Sequence, residues 1–328
     1  MAGTSQAPLV GTGTVPEAPT GGTHAGVPRN RRVSRLTPRD RITVILMVTV
    51  PLLLTIGLVW LPAIATVALS FSSWNGIGGL STIKWVGVTN YENAFTNYPA
   101  FWPAVQHNVL WLAVLFLVAT PLGIFLAVLI DKELRGSRLY QTSLYLPVVL
   151  SLALVGFIWQ LQYSRDEGLL NPVLQSLGLI DQPVDWYGDP NVNIWAVLIA
   201  SSWRHVGYVM LLYLAGLTGV DPSVREAASM DGASETKTFF RIVFPVMRPI
   251  NIIVLVITVI ESLRAFDLAW IVNKGRNGLE LLSTLVTSQV VGEASRIGFG
   301  SALATIMLVI SLVFIVVYLS IVLREEDR

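Results

Sequence analysis

Long apolar runs alternate with short polar segments along the chain, and this pattern predicts helices that cross a membrane. A bilayer core of about 30 Å needs roughly 20 helical residues. Six apolar runs are long enough, and they lie near residues 42–70, 107–130, 139–163, 192–217, 250–272 and 299–323. The first run contains Pro51 and Pro62, which we expect to kink or tilt the helix rather than break it.

The composition supports a membrane protein. Hydrophobic residues make up 53% of the 328 residues and charged residues 13%, and the mean hydropathy is +0.63. A soluble domain with a wet surface is less apolar than this, so the predicted fold class is an all-α polytopic membrane protein with six transmembrane helices. A net charge of +1 gives no reason to expect a nucleic-acid partner. The absence of cysteine excludes disulfides and thiolate metal sites.

The composition changes along the chain divide it into three parts. Residues 1–28 are rich in Gly, Pro and Thr, and a basic run follows them. We therefore expect residues 1–41 to form a disordered N-terminal tail, residues 42–323 to form the transmembrane domain, and residues 324–328 to form a short C-terminal tail. A cleaved signal peptide is not expected, because the first apolar run starts after residue 40 and is too long.

Lysine and arginine predict the orientation in the cytoplasmic membrane. If the N-terminus is cytoplasmic, the segments on the cytoplasmic side carry fifteen of these residues and those on the outer side carry five. The positive-inside rule then favours cytoplasmic N- and C-termini. Two long outer segments follow from this topology, residues 71–106 and 164–191, and the second is rich in aspartate.

The segment between the fourth and fifth predicted spans is charged and lies on the cytoplasmic side. Asp221 before Pro222 is typical of a helix start, with an N-cap acceptor and proline in the first turn. Gly232 permits a turn, and Ser234 can cap a second short helix, which we expect to run through Phe240 and stop before the next proline. These features predict two short helices joined by a bend and suited to a partner's cleft. An ordinary amphipathic interfacial loop remains the alternative.

The same segment resembles the EAA signature of ABC importer permeases, in its residues Glu226, Ala227, Ala228, Gly232, Ile242, Phe244 and Pro245. We call residues 222–249 the EAA loop. The resemblance implies a type I ABC importer permease fold, with this loop as a helix-turn-helix coupling element in a groove of an ATPase subunit. It gives Glu226 a basic partner in that groove, while Ala227, Ala228 and Gly232 permit close approach.

The likeness covers roughly residues 42–323 and is similar to the first permease of carbohydrate uptake systems of the maltose and glycerol-phosphate type. Matching motifs include Ser70-Phe71, Trp74-Asn75, Val86-Gly87, Asn90-Tyr91, Leu134-Arg135-Gly136, Leu146-Pro147, Gly168-Leu169-Leu170-Asn171, Asp189-Pro190 and Phe266-Asp267. A Thr-Gly-Gly-Pro-like turn is common after the last motif, and this chain instead has Asn273-Lys274-Gly275-Arg276-Asn277-Gly278. The resemblance implies a second permease, an ATPase dimer, an extracytoplasmic solute-binding protein and an oligosaccharide or related polyol.

ATP hydrolysis is expected on another chain. The sequence has no GxxxxGK[ST] loop, because the residues from Gly232 to Lys237 lack the second glycine that the phosphate cradle needs. We therefore expect no cofactor in this chain, with ATP and magnesium used by the partner ATPase. The histidines His24, His107 and His205 are too scattered to indicate a zinc site.

Formal charges inside the fourth and fifth predicted spans indicate a solute path. A charge at mid-bilayer costs about 2.5–3.5 kcal/mol, so each should face a cavity or a partner. Counted from the cytoplasmic ends, Arg204 and Glu261 lie at similar depth and should pair. The resemblance places the sugar on these two helices, and the candidate path residues are Ser202, Trp203, Arg204, Tyr208, Glu261, Arg264 and Asp267. A purely structural bridge between Arg204 and Glu261 is the alternative.

Two other function classes remain open from the residues alone. A self-contained secondary transporter or channel would use buried ionisable residues but has no need of the EAA loop. A membrane-embedded enzyme is less well supported, because the charges in the spans show no nucleophile and base at a helical spacing. For an importer, the outer segments should receive the binding protein, with Tyr91, Trp102, Trp186 and Asp189 as candidate contacts.

Overall fold

The computed structural model describes residues 37–132, 136–292 and 295–326. Most of the predicted N-terminal tail lies outside the described residues, as do Leu134 and Arg135 of the motifs above. The α-helices in the described part are α1 (Pro38–Thr55), α2 (Leu61–Leu69), α3 (Thr89–Thr96), α4 (Phe101–Val114), α5 (Thr120–Asp131), α6 (Ser137–Val149), α7 (Leu152–Gln162), α8 (Leu170–Ser176), α9 (Asn193–Thr218), α10 (Pro222–Met230), α11 (Glu235–Thr238), α12 (Phe244–Val246), α13 (Arg248–Leu263), α14 (Asp267–Asn273), α15 (Leu282–Val290) and α16 (Ile297–Glu326).

Short non-α segments complete the secondary structure. Single π-helical turns lie at Ile56–Trp60, Leu115–Ala119 and Phe239–Val243, and a 3-10 turn lies at Leu80–Thr82. The only β pairing in the described part is an isolated antiparallel bridge between Ser72 and Trp85. The predicted all-α class is therefore confirmed.

The chain divides into two compact units, residues Met1–Ile56 and Gly57–Arg328. In the first unit, α1 begins at Pro38, four residues before the predicted start of the first span. The reason is local: the Thr37 hydroxyl accepts a bond from the Asp40 N–H over 3.2 Å, and the Asp40 carboxylate accepts one from the Thr37 N–H over 3.1 Å. This reciprocal capping satisfies donors that the helix start would otherwise leave free. Pro51 lies inside α1 without ending it.

Within the described residues, four helical stretches are long and apolar enough to cross a membrane: Pro38–Leu69, Phe101–Asp131, Asn193–Thr218 and Ile297–Tyr318. Two bent helix pairs bring the number to six if each pair crosses as one broken span. The six predicted runs all correspond to these stretches and pairs. Four of them match the predicted bounds to within six residues, and the other two are interrupted.

The predicted third span, 139–163, is bent by 104° between α6 and α7. Pro147 lies in the last turn of α6, and Leu150 has an extended backbone with ψ of 142°. The Ser151 hydroxyl then caps α7 by accepting from the Leu154 N–H over 3.2 Å. An N-cap inside an apolar run starts a new helix with a new direction, so the predicted third span consists of two helices.

The predicted fifth span is interrupted inside its length. Helix α13 ends at Leu263, and α14 begins at Asp267. The backbone carbonyl of Ala265 in this interruption accepts a hydrogen bond from the Ser283 hydroxyl. Irregular backbone at membrane depth is tolerated where protein or a water-filled cavity surrounds it. Arg264 and Asp267 thus flank a helix break and do not lie inside one continuous helix.

Buried apolar clusters hold the helices of the second unit together. One cluster joins α4, α7, α9 and α14 through residues that include Trp111, Val155, Val197 and Leu268. A second joins α5, α9 and α13 to the EAA loop through Ala127, Met210, Tyr213, Val243 and Met247. A third joins α3, α4, α15 and α16 through Ala94, Phe101, Leu285 and Leu303. The charged residues of α9 and α13 lie where these helices approach each other.

Candidate functional site

Two helices of the second unit bring a carboxylate between two basic side chains. Nη1 of Arg204 lies 3.2 Å from Oε1 of Glu261, and Nδ1 of His205 lies 3.0 Å from Oε2 of the same carboxylate. The predicted pairing of Arg204 with Glu261 is confirmed. The second contact was not predicted, because adjacent residues on a helix point about 100° apart and only packing decides that both reach Glu261.

A cavity of about 240 Å³ opens beside this pair. Its polar lining consists of Ser201, Arg204, Glu261, Arg264 and Asp267. Its apolar lining consists of Trp111, Leu152, Ile260, Ala265, Phe266 and Leu268. The interruption between α13 and α14 forms one wall, so the break in the fifth span presents two charged side chains to the cavity. Polar groups that converge in a mostly apolar pocket are typical of sites for small polar ligands.

Three of the predicted path residues do not line this cavity. Ser202 is half-buried, and its hydroxyl has no hydrogen-bond partner among the described residues. Trp203 is 37% exposed, with its ring centroid 5.7 Å from that of Trp159 in an edge contact. Tyr208 is half-buried, further along α9. Ser201 lies in the cavity instead of Ser202, because positions 201 and 204 share a helix face at a spacing of three.

The EAA loop has the predicted caps. Asp221 caps α10 and accepts a bond from the Ser223 N–H over 2.9 Å, which holds the pKa of Asp221 below its ordinary value. Gly232 has a φ of +73°, a conformation that side chains with a Cβ rarely adopt. Ser234 is the N-cap of the second helix, and its hydroxyl accepts a hydrogen bond from the Lys237 N–H. The prediction of two short helices joined by a bend is confirmed.

The second helix of the EAA loop continues past its predicted end. It passes through the π turn Phe239–Val243, where the Phe244 N–H bonds the Phe239 carbonyl, and ends only at Val246. Pro245 lies in the first turn after the π segment. The expectation that the helix stops at Phe240 was therefore wrong. The chain then bends by 78° into α13.

Most of the EAA signature residues face outward. Glu226, Ala227, Gly232 and Pro245 are exposed, whereas Ala228 is only 4% exposed. Glu226 has no ion-pair partner in the described part of the chain. The exposed surface of this loop therefore includes the carboxylate of Glu226, while Ala228 packs inward.

Two ion pairs tie the EAA loop to the end of α5. Nη1 of Arg225 lies 2.6 Å from Oδ2 of Asp131, and Nη2 of Arg225 donates to the Leu217 carbonyl over 3.2 Å. Lys132, the next residue along the chain, pairs with Glu235 in the second helix of the loop. Neighbouring residues of opposite charge thus hold the two arms of the loop. No local sequence pattern indicates these two contacts, which join residues 94 and 103 positions apart.

Hydrogen bonds of buried and half-buried side chains lie in both segments that the sequence predicts to be outside the membrane, residues 71–106 and 164–191. Asn171 is buried, donates to the carbonyls of Arg165 and Val184, and accepts from the Trp186 indole over 2.8 Å. In the other segment, the Tyr91 hydroxyl lies 2.6 Å from the Ser70 hydroxyl. Two of the predicted binding-protein contacts, Trp186 and Tyr91, thus make hydrogen bonds within the chain.

The other two predicted contacts lie further out. Trp102 is 53% exposed, with its indole donating to the Phe95 carbonyl, and Asp189 is half-buried and accepts from Asn191. Within the described residues, no group of three His, Cys, Asp or Glu side chains is placed to hold a metal ion.

The sequence and fold have clear relatives. Residues 119–324 match the family of the binding-protein-dependent transport system inner membrane component. The xylose/arabinose import permease protein XacH of Haloferax volcanii is 34% identical over 77% of this chain and 79% of its own length. The trehalose/maltose transport system permease protein MalF of Thermococcus litoralis is 28% identical over 89% of this chain and 97% of its own.

A solved structure has the same fold. It is a chain of the bacterial alginate ABC transporter in complex with an alginate pentasaccharide-bound periplasmic protein. The two chains superpose with a TM-score of 0.71 and are 21% identical, and the match covers 85% of this chain and 93% of that chain. The family match covers well over half of the chain. The chain therefore belongs to the binding-protein-dependent transport system inner membrane components: it is a permease subunit of an ABC importer, a transport protein and not an enzyme.

Proposed function

We propose that this permease forms half of the membrane path for a carbohydrate, an oligosaccharide or a related polyol. The observation that carries the proposal is the cavity between α9 and the α13–α14 break, where Arg204 and Glu261 meet. Charges in mid-bilayer cost about 2.5–3.5 kcal/mol each. Their retention here is explained if they serve a polar solute that crosses between the helices.

The cavity lining suits sugar chemistry. Hydroxyl groups both donate and accept hydrogen bonds, so they need donors such as Arg204 and Arg264 and acceptors such as Glu261 and Asp267. The rings of Trp111 and Phe266 lie in the same lining and offer apolar faces for the carbon side of a sugar ring. The relatives described above are named for the transport of xylose, arabinose, trehalose and maltose, which supports this class of solute.

The partners follow from the family and the surfaces. We propose that a second permease completes the path, that an ATPase dimer using ATP and magnesium receives the EAA loop, and that an extracytoplasmic binding protein delivers the solute. The exposed Glu226 and the bend at Gly232 support the docking of the loop into a basic pocket. The excess of Lys and Arg on one side supports cytoplasmic N- and C-termini.

The test uses the complete importer in proteoliposomes, with binding protein outside and ATP inside. Radiolabelled xylose, maltose and trehalose serve as probes, and uptake and ATP hydrolysis are measured together. We expect Arg204→Gln and Glu261→Gln to assemble and to keep an ATPase that responds to loaded binding protein, but to lose most uptake. Tyr208→Ala should lower uptake less, because Tyr208 lies outside the cavity lining.

The matched control is Arg39→Gln, the same change at an exposed arginine of α1. The proposal is wrong if the Arg204 and Glu261 variants transport the same solutes at the control rate. Copurification of an ATPase with the wild-type chain separates an ABC importer from a self-contained transporter or channel.

A further inference from the structure

His205 is a buried imidazole that the cavity lining does not include. Its side chain is 1% exposed, in the middle of the apolar helix α9. Burying a polar ring away from water is costly unless both nitrogens find partners. Here both do, and the partners come from two other helices.

The Glu261 carboxylate decides which nitrogen of the His205 ring donates to it. The carboxylate of Glu261 can only accept, so Nδ1 of His205 carries the proton and donates to Oε2 over 3.0 Å. Nε2 lies 3.2 Å from the hydroxyls of both Thr120 and Thr258. The Thr258 hydroxyl donates its single proton to the Val254 carbonyl over 2.7 Å. The Thr120 hydroxyl can donate to Nε2 or accept from it, so Nε2 has a hydrogen-bond partner in either case.

The resulting chain of hydrogen bonds crosses three helices. It runs from Thr120 in α5 through His205 in α9 to Glu261 in α13. One carboxylate oxygen of Glu261 is thereby fixed, while the other faces Arg204 at the cavity. A carboxylate held by one side chain could rotate about its terminal bond, but one held at both oxygens cannot.

We propose that His205 is a positioning residue that orients the Glu261 carboxylate toward the transported solute. The inference rests on the proposed function, because it gives Glu261 a role toward the solute. His205 itself does not touch the solute. It acts through the carboxylate that does.

Substitutions of His205 in the same proteoliposomes test the role. His205→Asn keeps an N–H near the position of Nδ1, and His205→Leu removes both hydrogen bonds. The readout is solute imported per ATP hydrolysed, with labelled xylose, maltose and trehalose as probes. We expect the leucine variant to lower this ratio about tenfold, as for the loss of one hydrogen bond to a charged group, and the asparagine variant to restore most of it.

The matched control is His107→Leu. His107 is a half-buried histidine whose Nδ1 lies 2.9 Å from the Glu280 carbonyl, outside the cavity, and its loss should leave the ratio unchanged. The inference is overturned if His205→Leu assembles and keeps the wild-type ratio, or if the asparagine and leucine variants lower it equally, as a packing role alone would.

A spectroscopic measurement does not depend on the solute. The chain has only three histidines, so ¹⁵N-labelled histidine in the wild-type complex gives few signals, and His205→Asn assigns one by its loss. We expect a protonated Nδ1, with the Nε2 signal shifted in Thr120→Val. A proton found on Nε2 instead of Nδ1 contradicts the inference.

Glu261→Gln separates the two proposals. If it leaves uptake unchanged, the proposed solute path fails whatever His205 does. If it abolishes uptake while His205→Leu does not change the ratio, the path stands and only the positioning role is wrong.

Discussion

Gly123 lies where α5 packs against α9, and adding one methyl group there should force the helices apart. A Cβ on Gly123 would lie 2.7 Å from the Val209 Cβ and 2.8 Å from the Val206 carbonyl oxygen. Ordinary contacts begin near 3.4 Å, so the shortest contact is about 0.7 Å too close. The carbonyl belongs to the helix backbone and cannot rotate away. The helices must therefore separate by a similar amount.

The separation has two measurable consequences. Overpacking of this kind costs about 1–3 kcal/mol, which is roughly a 5- to 150-fold change in the folding equilibrium. Thr120 lies one turn before Gly123, and its hydroxyl is 3.2 Å from Nε2 of His205. A shift of about 0.7 Å would stretch this to about 3.9 Å, beyond hydrogen-bond distance. Gly123→Ala should thus lower both stability and solute imported per ATP.

Stability is measured by denaturant titration of the purified complex, and transport in proteoliposomes. The control is Gly57→Ala, because a Cβ at Gly57 meets no atom within 4 Å. We expect this variant to match the wild-type protein in both assays. If the Gly123→Ala variant unfolds at the same denaturant concentration as Gly57→Ala and transports normally, then α5 does not pack on α9 at Gly123 as closely as the structure shows.

Other changes test the EAA loop and the outer surface. The Glu226→Lys variant should insert into the membrane normally, but it should lose uptake and no longer copurify with the ATPase. Retained uptake would count against docking of the EAA loop into the ATPase. Asp131→Arg should lower the amount of solute imported per ATP, because it breaks the ion pair with Arg225, whose charged atoms lie 2.6 Å apart. Adding Arg225→Asp should restore this ratio, and no recovery would mean that the Asp131–Arg225 pair does not hold the loop. Asn171→Leu removes the bonds that order residues 164–191 and should open that segment to protease added outside; unchanged resistance would refute this.

Features that depend on neighbouring residues were predicted well. The caps at Asp221 and Ser234 and the bend at Gly232 follow from hydrogen bonds and backbone angles within a few residues. The predicted membrane spans follow from hydropathy alone, because any run of about 20 apolar residues is long enough to cross a bilayer core as a helix. The pairing of Arg204 with Glu261 needed only the depth of each along its helix.

Features that depend on how each helix is rotated and packed against its neighbours were not predicted. The contacts of His205 are an example, because its partners Thr120 and Glu261 lie 85 and 56 positions away. The rotation of α9 about its axis decided that Ser201, and not Ser202, enters the cavity. Helix rotation is set by how side chains interlock with neighbouring helices, which hydropathy does not record.

The sequence by itself determined the class of protein, the number of apolar runs and the shape of the EAA loop, because these depend on solvent transfer and short-range bonds. Only the tertiary structure decided where the third span bends and where the fifth breaks, and which charged side chains share the cavity. In the break of the fifth span, the Ser283 hydroxyl of α15 donates to the backbone carbonyl of Ala265. A helix break at membrane depth is therefore a property of its surroundings, and those exist only once the helices have packed.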